Sequence, residues 1–440
     1  SAGPGQGGIA GTVDTGGSGG TIGTGDAGAG GSSGGSGGTA TGAAGRGGAS
    51  GGGTAGSSGG RGGAAGRGGA AGGAAGRGGT GGSAGSGSGG SGTGGATGTG
   101  AGPGCTPPTS YPNLFVTVSG HTQADSDAKV AAAWTKLFTA GGSGAIYFNG
   151  PGADESYVED LYNGDVRTEG MSYGMTIAVQ LDHQTEFDRL WTWVKNHMAQ
   201  GTTGQQIAWS ATPQGQKKSS GGAPDGDEYF ATALLFASKR WGDTSGKFNY
   251  RTEAQWVLDL LRTKEFNQSA HIVQFVAGSG NTDGSYVLPA FYQVWACTDT
   301  ANADFWNAAV TAGRTFFHNA IDSNGVIGDQ SSFTGQTVKG PGSDTIRCVA
   351  NIMMDHNFFN ADPWQTDTYA TKYGAYEMTH ANGVAQQSCD ALLGFGLPAS
   401  TGKAFVDKLW SMNVPNRDYW NGILYMLALV HVSGNFHLYY

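Results

Sequence analysis

The chain has 440 residues and a formal net charge of −9 at pH 7. That acidic balance argues against nucleic acid and anionic membranes as partners. Its four cysteines, Cys105, Cys297, Cys348 and Cys389, show neither CxxC spacing nor an accompanying His pattern, which argues against a zinc site.

Residues 1–104 are almost wholly Gly, Ser, Ala and Thr, with Ile9, Val13 and Ile22 as the only larger apolar side chains besides Pro. Such a segment cannot bury enough apolar surface to offset the entropy of ordering it, so it reads as a disordered low-complexity linker. The unit "AAGRGG" recurs at 43–48, 64–69 and 74–79 but has no hydrophobic face to stack. A Gly-rich RNA-binding tail is the sharper alternative, and its four Arg without aromatic neighbours support it poorly. Ser1 in place of Met reads as a processed or cloned start, and neither a signal peptide nor a transmembrane-length run is visible. A long tether before an enzyme-like domain suits an exported protein, secreted or held at the cell surface through the linker.

Residues 105–440 are more acidic than the whole chain, because the tail holds four Arg against two Asp. All 11 Trp, 16 Tyr and 19 Phe lie in this part, an excess that suits stacking on flat apolar faces such as sugar rings. Helical periodicity dominates. It is read in segments near 126–139, 187–198, 228–241, 250–264, 288–297, 303–320, 344–358, 383–395, 402–411 and 419–432, with one more helix after Glu169. Some of these are apolar on nearly every face and others are amphipathic, as an inner ring wrapped by an outer ring requires. The expectation is an all-α double ring of about six helical hairpins, with an open α-solenoid as runner-up. Cys297, Cys348 and Cys389 sit in apolar helical runs and read most simply as buried thiols, with a disulfide possible that the sequence cannot pair.

Three acids stand at the entrances of long apolar runs: Glu169 in "TEGMSYGMTIAV", Asp225 in "APDGDEYFATALLFA" and Asp344 in "GSDTIRCVANIMM". Each alone reads as a helix cap, and Asp225 with Glu228 resembles a capping box. Together, on inner helices whose N-termini converge, they would place three carboxyls in one concave mouth. Glycoside hydrolysis needs one protonated and one ionised carboxyl there. Desolvation among aromatics and Met suits Glu169 to the acid role, with Arg167 as a complication that binds either Asp165 or substrate. Arg347, three residues after Asp344, would keep that acid ionised.

The blocks "DVRTEGMSYGM" (165–175), "APDGDEYFATALLFASKRWGD" (223–243), "SDTIRCVANI" (343–352) and "NRDYWNGILYMLALVHVSGNF" (416–436) closely resemble glycoside hydrolase family 8, in particular its xylan-acting branch. The resemblance covers 110–440. It implies an (α/α)6 barrel, inversion at the anomeric carbon, and neither metal nor cofactor. By position it implies Glu169 as general acid, Asp344 as general base and Asp225 as the acid holding the sugar at the cleavage subsite. Trp209 in "IAWS" resembles a stacking platform, and Tyr286, Arg347, Tyr419 and Trp420 resemble further cleft-lining positions. Exo-acting members carry a Leu-His-Pro kink that blocks the cleft; here Thr379-His380-Ala381-Asn382-Gly383 keeps only His380. That departure favours an open cleft. The expectation is a monomeric, secreted, inverting endo-β-1,4-xylanase acting on xylan, including mixed-linkage β-1,3/β-1,4 xylan. Reducing-end xylose-releasing exo-oligoxylanase, β-1,4-glucanase and chitosanase are the alternatives within the family. A non-catalytic carbohydrate-binding protein is the alternative of another class.

Overall fold

A computed structural model describes residues 105–199, 206–244 and 246–440; the linker reading of 1–104 lies outside these residues. After a single turn, α1 (Leu114–Thr117), the chain forms six successive helix pairs. These are α2 (Gln123–Phe138) with α3 (Thr168–Gln180), α4 (Gln184–His197) with α5 (Pro224–Trp241), and α6 (Tyr250–Leu260) with α7 (Pro289–Thr298). Then come α8 (Ala303–Ala320) with α9 (Cys348–Phe359), α10 (Thr371–His380) with α11 (Val384–Asp390), and α12 (Ala399–Ser411) with α13 (Tyr419–Val432).

From α3 onward the odd-numbered helices form the inner ring. Each packs on the next, and α13 closes back onto α3. The outer helices α4, α6, α8 and α12 pack on α3, α5, α7 and α11, while α2 covers α13. The apolar pattern explains the sorting. In α3 every residue except Glu169 is buried, whereas α12 buries only Gly402, Phe405, Val406 and Leu409. This is an (α/α)6 barrel, and the open-solenoid alternative fails because the ring closes.

Pro224 and Pro289 start α5 and α7 at first-turn positions, where a missing N–H costs nothing. Sequence reading found eleven of the twelve long helices. It missed α10, "TKYGAYEMTH", whose buried face is only Tyr373, Gly374 and Glu377 and which a π-turn at Gln365–Ala370 introduces.

Three small antiparallel ribbons sit in connections that lead into inner helices. β1 (Tyr147–Asn149) pairs with β2 (Ser156–Val158), β3 (Val166–Arg167) with β4 (Ser210–Ala211), and β5 (Gln330–Ser331) with β6 (Thr337–Lys339). The β3–β4 register sets Arg167 opposite Ser210, and Thr168 N–H donates to the Trp209 carbonyl at 3.0 Å.

At the other end of the barrel, the two termini of the described chain meet. Leu438 N–H donates to Tyr111 Oη at 2.9 Å, and Gln180 in the last turn of α3 donates to the His437 carbonyl at 2.8 Å. Cys105 is disulfide-bonded to Cys297 in the last turn of α7. Of the two readings of Cys297, the buried thiol gives way to the disulfide that the sequence allowed but could not pair: the apolar run hides a side chain at a helix end, where the incoming chain reaches it. Cys348 and Cys389 are buried thiols as read. Among the described residues no helix is long and apolar enough to cross a membrane.

Candidate active site

None of the three acids is a cap. The residues flanking α3 and α5 at the N-terminal side are Arg167 and Ala223, and neither makes a side-chain cap bond. Asp344 precedes the 3-10 turn Thr345–Arg347 and also makes none. The capping box is absent too: Glu228 accepts from Tyr292 Oη at 2.8 Å, and Asp225 Oδ1 accepts from the Gly226 N–H. Carboxyls released from capping are available for something else.

What gathers them is Arg347. Its side chain is only 4% exposed. Nη1 donates to Asp225 Oδ2 at 2.9 Å, to Glu169 Oε2 at 3.1 Å and to Tyr173 Oη at 2.8 Å. Nη2 donates to Ser285 Oγ at 2.9 Å and lies 3.8 Å from Asp344 Oδ1. The expected partnership with Asp344 is therefore its loosest one. The 3-10 turn between the two residues aims the guanidinium inward, toward α3 and α5. Tyr419, at the first position of α13, donates to Glu169 Oε1 at 3.0 Å. Every oxygen of Glu169 is thus engaged, one by a cation and one by a phenol.

Two glycines make this convergence sterically possible. A Cβ on Gly170 would sit 2.5 Å from the Tyr419 ring, and one on Gly226 would sit 2.5 Å from Thr168. The glycines of "TEGMSYG" and "PDGDEYF" are therefore close-approach residues, the first letting α13 reach α3 and the second letting α5 reach α3.

The electrostatics separate the carboxyls. Burial is the dominant influence on Glu169 and raises it to about 7; Asp225 and Asp344 push the same way, and Arg347 and the Tyr419 hydrogen bond oppose them. Burial also raises Asp225, against the opposition of Arg347. Asp344 is the more open of the two candidate reactive acids, with 26% of its side chain exposed against 16% for Glu169. A carboxyl that holds its proton near neutrality beside a wetter one is the pairing that acid–base chemistry on a glycosidic bond uses.

The remaining candidates divide. Trp209 is half-buried beside Thr168, and the Arg167 guanidinium lies 5.7 Å from its ring. Arg347 lies 5.9 Å from the Tyr286 ring and 5.5 Å from the Trp420 ring, so both aromatics border the acid cluster. Arg167 does not touch Glu169. It pairs with Asp160 at 3.2 Å and with Asp165 at 3.0 Å, the second being the protein partner the sequence offered for it. His380 is not brought to the cluster. It is exposed in the last turn of α10, stacked on Tyr376 at 3.9 Å with Nδ1 2.8 Å from the Tyr376 carbonyl oxygen. Sequence reasoning missed Tyr173 and Ser285, both direct partners of Arg347; "EGMSYG" and "DGSYVLP" look like ordinary core and loop text.

The sequence model of Glycosyl hydrolases family 8 matches residues 157–390. The reducing end xylose-releasing exo-oligoxylanase of Halalkalibacterium halodurans is 34% identical over 371 residues, covering 75% of this chain and 95% of that protein. Rex8A of Paenibacillus barcinonensis, also a reducing-end xylose-releasing exo-oligoxylanase, is 30% identical, covering 75% and 97%. A crystal structure of a reducing end xylose-releasing exo-oligoxylanase superposes with a TM-score of 0.71 at 33% identity, covering 75% of this chain and 97% of that one. With its closed double ring of helices and its acids gathered at the mouth, the chain belongs to glycoside hydrolase family 8.

Proposed function

We propose that the protein hydrolyses β-1,4-xylosidic bonds in xylan-derived chains by a single displacement with inversion. The observation that carries this is the set of carboxyls at three inner-helix entrances around Arg347, with Glu169 raised to about 7. Glu169, protonated, gives its proton to the leaving glycosidic oxygen. Asp344, ionised, takes a proton from the water that attacks the anomeric carbon. Asp225, pinned by Arg347, holds the sugar at the cleavage subsite, and the half-buried Trp209 and Trp420 offer it flat faces, with buried Tyr286 behind the cluster. Because Glu169 and Asp344 contact different nitrogens of one guanidinium, they lie no more than about 9 Å apart. That is compatible with the roughly 6.5–9.5 Å gap that leaves room for a water in inverting enzymes. Proton NMR of the first products tests the stereochemistry: the α-anomer should appear first, and β-anomer appearing first would overturn inversion.

The mode of attack is carried by the relatives, which are named for releasing xylose from reducing ends. They favour the exo action held as the alternative in the sequence reading over the endo action it put first. Release of one xylose per event is accordingly the leading reading. One observation favours endo cleavage: Thr379, His380, Asn382 and Gly383 are exposed, and His380 is held by its own helix and not by the cleft. Xylohexaose separates the two. Exo action should give xylose and xylopentaose first, whereas xylotriose and xylobiose among the earliest products would reinstate the endo reading. The Cys105–Cys297 disulfide supports work outside a reducing cytoplasm, in keeping with the expectation of secretion.

A further inference from the structure

Asp283 precedes the 3-10 turn Gly284–Tyr286 that leads into α7, and it is 2% exposed. Its Oδ1 accepts from Ser285 N–H and Ser285 Oγ–H, both at 2.8 Å. The same Ser285 Oγ accepts from Arg347 Nη2. Oxygens of Asp283, Asp329 and Asp344 lie within 4.8 Å of one another. Asp329 Oδ2 is taken by Lys339 Nζ at 2.7 Å, and Asp329 Oδ1 is buried with no hydrogen-bond partner. Behind the reactive face of Asp344 there is thus a second carboxyl that substrate does not need to touch.

The Asp344 carboxyl beside Asp283 disfavours its ionised form. Lys339 serves Asp329, and Arg347 is committed chiefly to Glu169 and Asp225. Asp283 has only neutral donors. Burial, with the Asp344 charge next, raises it to about 8 against the pull of Arg347 and the Ser285 bonds. The other titratable groups facing it, Tyr286 and Cys348, are buried and driven upward, so they add no cation.

We infer that Asp283 carries a proton and shares it with Asp344, directly or across one water, so that the other Asp344 oxygen is fixed toward the attacking water. Asp283 is a positioning residue for the base. The inference rests on the reading of Asp344 as that base. A neutral Asp283 has a proton to donate toward Asp344, and a separation of up to 4.8 Å is one that a single water spans. A divalent cation among the three carboxylates would be the competing use of the cluster, and Lys339 on Asp329 stands against it.

The test compares D283A, D283N and D344A in the full chain on xylohexaose, with kcat and KM across pH, with and without a chelator. D283A should lose about tenfold or more in kcat with KM within about twofold, and the acidic limb of its kcat/KM profile should move upward by about half a pH unit. D283N, whose amide mimics the neutral acid in accepting from Ser285 and donating toward Asp344, should recover most of the lost kcat and return the limb. A D283N as impaired as D283A would overturn the inference, because an ionised carboxylate would then be required. So would D283A indistinguishable from the wild type while D344A is inactive, which leaves the base reading standing. Loss of activity to the chelator would replace the shared proton by a cation. Activity retained in D344A would remove the base reading and this inference with it.

Discussion

Replacing Glu169 by Gln should lower kcat/KM on xylohexaose by about 10³-fold or more while leaving the barrel folded. The loss follows from the chemistry proposed for the site: an amide has no proton to give to the leaving oxygen. Two further results identify the role. An aryl xyloside with a leaving group that departs without protonation should be much less affected by E169Q, because only the acid's task is removed. Asp344→Ala should stay impaired on both substrates. The pH dependence follows from the same residue. With Glu169 raised to about 7, the active protonated form is present below that pH and is lost as pH rises through it. The wild-type kcat/KM should therefore fall on an alkaline limb near 7 that E169Q lacks. An E169Q variant with most of its activity on xylohexaose would remove Glu169 from the acid role.

Arg347→Met should be the most damaging single change to stability as well as to activity. The guanidinium is the one group that bonds Glu169, Asp225, Tyr173 and Ser285 together, and its removal leaves buried carboxyls without a cation. Breaking a buried ion pair from one side costs about 3–5 kcal/mol. The sign of the pH dependence is fixed by the carboxyls. Burial already raises Glu169 and Asp225 above their ordinary values, and losing the opposing cation raises them further. Between the ordinary carboxyl range and these raised values the folded variant then binds more protons than the unfolded chain, so its stability falls as pH rises through that window. Urea unfolding should show a deficit that is large at pH 8 and smaller at pH 5. A variant that melts like the wild type at both pH values would mean that the cluster is not held as described.

The fold was legible because its signal is long and redundant: eleven strongly periodic segments and no competing alternation. The twelfth, α10, was invisible because a helix that buries only a Tyr, a Gly and a Glu writes no apolar stripe. The acids were legible for a different reason. A carboxylate at the mouth of an apolar run is costly unless it has a purpose, and three in the same posture are hard to dismiss as caps. Their partners were not legible. Arg347 was placed with Asp344 by its i+3 spacing, yet a 3-10 turn sends it across the barrel to α3 and α5. Tyr173, Ser285 and Asp283 act through tertiary neighbours that no local pattern announces. The glycines at 170 and 226 were readable only as flexible residues until the ring of Tyr419 and the side chain of Thr168 showed what they make room for.

The barrel has a front and a back. The acids, Arg347 and the bordering aromatics all sit where inner helices begin. The described chain enters and leaves where inner helices finish, with Cys105 stapled to the last turn of α7 and Leu438 bonded to Tyr111. The first and last described residues therefore attach to the wall of the barrel away from the acid cluster. Because the two ends are neighbours, the ring could also be cut and restarted at an exposed outer turn, with a short graft across Tyr111 and Leu438, without moving a residue of the catalytic mouth.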